Sequence, residues 1–156
     1  MKPNNVTRML DSRGIHYTAF ETVAEKLGAL ETARILGVPP EQVFKTIVVT
    51  REGKGKPILA VVPGDGEVDL KAVAREVNEK KVSLPTEREA ERITGLQAGG
   101  ISPLALLNRG FEVILDETAL YFDEIHISGG QRGLNIRLAP DNLIALTQAK
   151  TGQISR

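Results

Sequence analysis

Hydrophobic positions recur along the chain in two rhythms, one near 3.6 residues and one of two. In "NNVTRMLDSRG" the apolar residues Val6, Met9 and Leu10 share a helical face, Asn4 or Asn5 is placed to cap the helix, and Gly14 suits a left-handed exit. "HYTAF" reads as a short strand. "ALETARILG" is helical with Gly37 as its stop, after which Pro39 and Pro40 restart the chain. "FKTIVVT" has the β-branched density of a buried strand, and the turn "REGKGKP" joins it to "PILAVVP" as a hairpin. Asp69 caps "LKAVAREVN", an amphipathic helix with Leu70, Val73, Ala74 and Val77 inward. Thr86 and Glu89 form a capping box for "EREAERIT", which ends at Gly95. "FEVILD", "EIHIS" and "LNIRL" are three further strands, and "PDNLIALTQ" closes the chain as a helix.

Strands interleaved with short helices, without regular βαβ spacing, predict an α+β fold. The expected form is one curved, mixed, mostly antiparallel sheet or a partly open barrel with flanking helices. No repeat or long linker divides the chain, so residues 1–156 read as a single domain. Composition changes this picture little, but charge excludes one class of partner binding. Lys plus Arg and Asp plus Glu both number 20, so the bulk positive field behind tight, unspecific nucleic-acid binding is missing. A nucleic-acid partner must be met by a local patch. The absence of cysteine removes disulfides, thiolate metal ligands and a cysteine nucleophile together. The N-terminus lacks the apolar core of a signal peptide, and no run approaches the roughly 20 apolar residues of a membrane span. A soluble, cytoplasmic protein without membrane contact is expected. No long apolar edge or heptad argues for an obligate assembly, so a monomer or weak dimer is expected.

Few side chains carry obvious chemistry. With two histidines and no HExxH or GxSxG, the usual triads and zinc sites lack their parts. His126 alternates with Ile125 and Ile127 in "EIHIS", which reads more simply as packing or a solvated strand position than as a catalyst, and His16 is blander still. Lys45 stands at the entry to the most hydrophobic strand, where its ammonium either snorkels to the rim or points into a cleft to bind phosphate or polarise a carbonyl. Two glycine loops accompany it. "LQAGGISPLAL" frees the backbone at Gly99 and Gly100, and "SGGQRG" puts Ser128, Gly129, Gly130, Arg132 and Gly133 between two strands. A tight hairpin needs only one or two such residues. Neither loop has phosphate-motif spacing. Backbone donors, a hydroxyl and a cation are instead the parts of a carbonyl or oxyanion site, suited to acyl chemistry without an enzyme nucleophile.

Taken in order, "VFKTIVV", "GGISPL" and "SGGQRGLNIRLAPDNL" resemble the YbaK family of aminoacyl-tRNA editing proteins, relatives of the editing domain inserted in bacterial prolyl-tRNA synthetases. The similarity runs from about residue 15 to the C-terminal helix. It implies a curved mixed sheet and a free-standing trans-editing deacylase, a hydrolase that removes a wrong amino acid from tRNA, chiefly from Cys-tRNA(Pro). The logic is that a synthetase pocket cannot strongly reject a ligand smaller than its own, so a second site hydrolyses the mistake. By the same resemblance Lys45 positions the ester and terminal ribose, and Gly100 and Ser128 lie near the acyl carbonyl. Phe20, Thr46, Gly99, Ile101, Gly129 and Asn135 are then expected around the substrate, Phe20 and Asn135 lining its side-chain pocket. No metal or organic cofactor is implied. The partner is the 3′ acceptor end of aminoacyl-tRNA, with prolyl-tRNA synthetase as a further candidate. The resemblance also implies attack by the substrate's own thiol, which fits a chain without a cysteine or a histidine base.

Two positions depart from the best-known members. "RGLN" puts Asn135 where they carry aspartate, and Phe20 stands where they have tyrosine. Both changes make the pocket less polar, which leaves open the editing of another small residue such as Ala-tRNA(Pro). A non-catalytic module that binds an aminoacyl-adenosine or tRNA end is the rival from another class. For RNA contact the sequence offers dispersed candidates: Arg51, Lys54 and Lys56 in one turn, and Lys80 with Lys81. Arg132 either braces its loop or binds the acceptor stem.

Overall fold

A computed structural model describes residues 2–156. Its first half runs α1 (Asn5–Ser12), β1 (Tyr17–Glu21), α2 (Ala29–Leu36), β2 (Phe44–Arg51), β3 (Ile58–Pro63) and α3 (Leu70–Glu76). The second half runs β4 (Val82–Ser83), α4 (Glu87–Thr94), β5 (Glu112–Asp116), β6 (Ile125–Ser128), β7 (Leu134–Leu138), α5 (Pro140–Thr147) and β8 (Lys150–Gly152). The expected caps are in place: Asn4 on α1, Asp69 on α3, and a full Thr86/Glu89 capping box on α4. Gly37 and Gly95 end their helices in the left-handed conformation.

The strands form two sheets. A three-stranded antiparallel sheet has the order β1-β7-β6, and a five-stranded mixed sheet has the order β4-β2-β3-β5-β8. Antiparallel pairs predominate, as expected, while β3 with β5 and β5 with β8 are parallel. A single parallel bridge between Val43 and His126 links the sheets, so the curved layer is interrupted there and does not close. The α+β fold class stands. One expectation fails: α5 does not close the chain, because β8 follows it and pairs Ile114 with Lys150 and Leu115 with Thr151.

Strand alternation divides the interior into two cores. Phe44 and Val48 of β2, Leu59 and Val61 of β3, and Val113 and Leu115 of β5 face Ile125, Ile127, Leu134, Ile136 and Leu138 of the smaller sheet. The alternate residues Val49, Ile58, Ala60, Val62 and Ile114 pack on Ala72, Val73 and Val77 around α3. Covered on both faces, β3 is buried at every position, the pattern of a central strand. Its neighbour β2 is buried only in part, and its first turns are where the site lies.

At the other end of β2, charge is used for structure. Arg51, with its side chain only 13% exposed, lies 3.0 Å from Glu112 and 3.6 Å from Glu79, and Lys150 reaches Glu112 at 3.1 Å. Burial pushes the Glu112 carboxyl up, but hydrogen bonds from Arg51 and Lys150 outweigh it and hold the group below its ordinary range. Arg51 is therefore a tie between β2 and β5. Its turn also lies about 20 Å along β2 from Lys45, which argues against Arg51, Lys54 and Lys56 as partners of anything bound beside that lysine.

Candidate active site

The polar face of the smaller sheet forms one wall of a cavity. The register sets Phe20 opposite Asn135 and Asn135 opposite Ser128, and directly opposed residues of antiparallel strands share a face. The other face carries the core residues Leu134, Ile136, Ile125 and Ile127. Ser128 and Asn135, with Gly133 and Leu134, line a cavity of about 450 Å3 whose opposite wall is Phe44, Lys45, Thr46, Ile47 and Val48 of β2. Ala98, Gly99 and Ile101 close it on a third side, and Leu84, Glu87 and the segment from Glu25 to Ala29 form its mouth. The volume lies within the roughly 300–1,000 Å3 of small-molecule sites. Of the nine residues singled out in the sequence, Lys45, Thr46, Gly99, Ile101, Ser128 and Asn135 meet here, whereas Phe20, Gly100 and Gly129 do not line the cavity.

Gly100 fits between the two glycine loops. A Cβ at that position would lie 2.9 Å from Gln131 Cα and 3.0 Å from Gln131 C, so only glycine lets the two backbones meet. Its amide donates to Gln97 O at 2.8 Å and is spent there. The Gly129 amide is likewise committed, to Leu134 O at 2.8 Å. By contrast, the Gly99 and Ile101 amides donate to no partner among the described residues. Ser128 Oγ accepts from the Gly130 amide at 3.2 Å, which leaves its own O–H available to donate. Asn4 caps α1 and donates Nδ2 to Gly129 O (3.0 Å) and Gln131 Oε1 (3.1 Å), and Arg132 Nε donates to Ala98 O at 2.7 Å. Arg132 thus braces the loops. Cavity donors are therefore a cation at Lys45, the Ser128 hydroxyl and free amides, the groups a carbonyl or oxyanion needs.

A family model described as the aminoacyl-tRNA editing domain matches residues 23–146, which contain both glycine loops and Lys45. The chain belongs to that family. The editing domain is 33% identical, over 97% of this chain and 92% of the relative, to EbsC of Enterococcus faecalis, which is provisionally named a Cys-tRNA(Pro)/Cys-tRNA(Cys) deacylase. It also superposes, with a TM-score of 0.83, 28% identity and 99% coverage of both chains, on a crystal structure provisionally described as a trans-editing enzyme for prolyl-tRNA synthetase. A stretch of 88 residues is 32% identical to the proline–tRNA ligase of Chlamydia pneumoniae, where it spans 15% of that protein.

Behind the cavity wall the editing domain holds a buried polar cluster that the sequence left unread. His126 is 1% exposed, so it is neither solvated nor a plain packing residue. Its Nδ1 lies 2.8 Å from Asn135 Oδ1. Burial pushes the imidazole below its ordinary value, opposed by the Asn135 hydrogen bond, reinforced by Arg137 and opposed again by Glu124, with a net lowering. A neutral ring donating from Nδ1 to Oδ1 fixes the Asn135 amide with Nδ2 left to donate. Phe20, expected on the pocket wall, sits one strand further out on β1, its ring between His126 (5.5 Å) and the Arg137 guanidinium (5.2 Å). Its missing hydroxyl therefore changes the support of Asn135, not the cavity lining.

The sequence also missed the segment from Thr22 to Ala29, which carries no motif. Thr22 N donates to Gly133 O at 2.9 Å, and Lys26 forms an ion pair with Glu87 of α4 where both line the mouth. Only Gly28, just before a helical run, hinted that the chain turns there.

Proposed function

We propose that this editing domain is a free-standing trans-editing deacylase whose first substrate is Cys-tRNA(Pro). The observation that carries the reading is a cavity with a cation, a hydroxyl and unspent amides, with neither histidine nor aspartate among the described residues that line it, and with its two carboxylates, Glu25 and Glu87, exposed and Glu87 paired with Lys26. Such a site stabilises developing charge but supplies no strong nucleophile of its own, so the substrate has to bring one. A cysteinyl ester does. The thiol sulfur bonds to the carbonyl carbon, the ester C–O bond breaks, and the thiol proton ends on the departing ribose oxygen. Water then opens the cyclic thioester to free cysteine. Lys45 orients the terminal ribose and steadies the leaving oxygen, while Ser128 O–H and the Gly99 and Ile101 amides receive the negative carbonyl oxygen. Asn135, fixed as a donor, suits an acceptor atom and offers no charge to an ammonium. The EbsC name and the trans-editing description support the same substrate class. Prolyl-tRNA synthetase fits as the source of the mischarged tRNA.

Release of labelled amino acid from Cys-tRNA(Pro) and Ala-tRNA(Pro) tests this. Fast release of cysteine with little release of alanine is expected, since alanine has no thiol. Equal rates would show that water attacks in both and would overturn the thiol mechanism.

Thr46 allows a second check. Its Oγ1 is buried at the cavity wall without a hydrogen-bond partner among the described residues. A stranded hydroxyl costs about 1–3 kcal/mol, so Thr46→Val should leave the protein as stable or about 1 kcal/mol more stable. If the substrate completes that hydroxyl's bonding, kcat/KM should fall about tenfold at the same time, the worth of one hydrogen bond. Denaturant midpoints and initial rates on one preparation decide it; a loss of stability would show that the hydroxyl is structural.

A further inference from the structure

Lys45, Ile47 and Leu84 line not one cavity but two. On their far side a cleft of about 710 Å3 continues along Glu67, Val68, Asp69, Leu70, Lys71, Arg75 and Arg156. Strand alternation explains the junction: Lys45 and Ile47 share parity with Val49, which faces the α3 core, so the lysine stem leaves β2 on the α3 side and its head stands between the two spaces. Lys71 and Arg75 are four residues apart on α3, on the side away from buried Val73 and Val77. A paired backbone contact, Glu67 N to Arg156 O and Arg156 N to Glu67 O, both 2.9 Å, sets Arg156 on the same wall.

The charge of this cleft is not spent within the protein. Lys45, Lys71, Arg75 and Arg156 form no ion pair among the described residues. The wall carries two side-chain carboxylates, Glu67 and Asp69, the latter accepting from the Ala72 amide at 3.1 Å, against four cations. No aromatic side chain among the described residues lines the cleft, so it offers no stacking platform for bases.

We propose that this cleft carries the phosphodiester backbone of the nucleotides that precede the aminoacylated terminal adenosine, while the ester occupies the adjoining pocket. The inference rests on the editing reading of that pocket, and it names where the rest of the RNA strand goes. Because the contacts are to charge and not to bases, the cleft binds without regard to sequence, and discrimination between tRNAs lies elsewhere. It also supplies the local patch that a chain of zero formal net charge requires. Lys71, Arg75 and Arg156 together neutralise at most three phosphates, which for a single strand gives a log–log salt slope of about −2 and a loss of roughly 15-fold in affinity from 50 to 200 mM salt.

The test is the affinity of a fluorescent RNA minihelix ending in CCA for the wild-type protein and for Lys71→Ala/Arg75→Ala, across salt concentrations. Both side chains are exposed, and an unchanged Tm confirms folding. Affinity should fall about tenfold and the salt slope shrink by more than 1 in the double variant, with Lys71→Arg/Arg75→Lys restoring both. Unchanged affinity and slope would overturn the proposal. Turnover of 3′-cysteinyl-adenosine, which has no phosphodiester, is measured alongside and should be equal in wild type and variant. If that fragment is not hydrolysed by either protein while RNA binding still depends on Lys71 and Arg75, the editing reading fails and the cleft stands.

Discussion

Lys45→Ala is expected to lower kcat/KM for Cys-tRNA(Pro) by about 100-fold or more while leaving the protein folded and as stable as before. The side chain leaves β2 at the second residue of the strand, opposite Val62, and lies on the rim shared by the ester pocket and the basic cleft. It forms no ion pair among the described residues, so truncation breaks no structural bond and a stability change within about 0.5 kcal/mol is expected. On the proposed reading, what it removes is the cation nearest the ribose, at the junction of the two cavities. Lys45→Arg keeps that charge but exchanges a compact ammonium for a planar fork, so RNA affinity should recover more fully than turnover. Single-turnover rates and minihelix affinities on the three proteins separate these effects. Full turnover in Lys45→Ala would place the ester elsewhere.

Gly100→Ala is expected to act in the opposite way, through the scaffold. The new methyl would meet Gln131 Cα at 2.9 Å and Arg132 N at 3.1 Å, and backbone atoms cannot rotate aside as a side chain does. The two glycine loops must separate, at a cost of about 1–3 kcal/mol in stability. Separation also moves the Gly99 and Ile101 amides away from Ser128, so turnover should fall by at least about tenfold. Urea midpoints together with single-turnover rates test both parts. A stable, active Gly100→Ala protein would show that the loops are not held in register by this contact.

What the sequence made legible, and what it hid, follows from the range of each interaction. Caps and helix stops depend on residues three or four apart, and Asn4, Asp69, Thr86 with Glu89, Gly37 and Gly95 act as read. The β-branched density of "FKTIVVT" announced a buried strand, but β2 is buried only in part, and it is its hairpin partner β3 that is buried at every position. The three residues of β8, Lys150–Gly152, have no alternation to read and exist as a strand only because β5 offers a parallel edge. Likewise, nothing local marks the break between the sheets at the Val43–His126 bridge.

The site divides in the same way. Lys45, Ser128 and the two glycine loops were visible as residue types surplus to plain turns and strands, whereas Asn135 was marked only by the family resemblance. Their division of labour was not, because whether an amide is free depends on partners such as Gln97 and Leu134 that only the fold brings near. Gly100 stands where the two loops meet with its amide committed to Gln97 O, and the Phe20 ring lies against His126. Arg132, balanced between brace and RNA contact in the sequence, is tied to Ala98 O. The basic cleft escaped notice because its cations, Lys45, Lys71, Arg75 and Arg156, are scattered along the chain.

On the proposed reading, this cavity breaks an aminoacyl ester without a synthetase in attendance. The most direct measurement is the time course of cysteine release from Cys-tRNA(Pro) under single-turnover conditions with the purified protein alone. Release well above the spontaneous rate of the ester, lost in Lys45→Ala, is the predicted result. Tight binding of Cys-tRNA(Pro) with the ester left intact at the spontaneous rate would contradict the account and leave a protein that holds the tRNA end without turning it over.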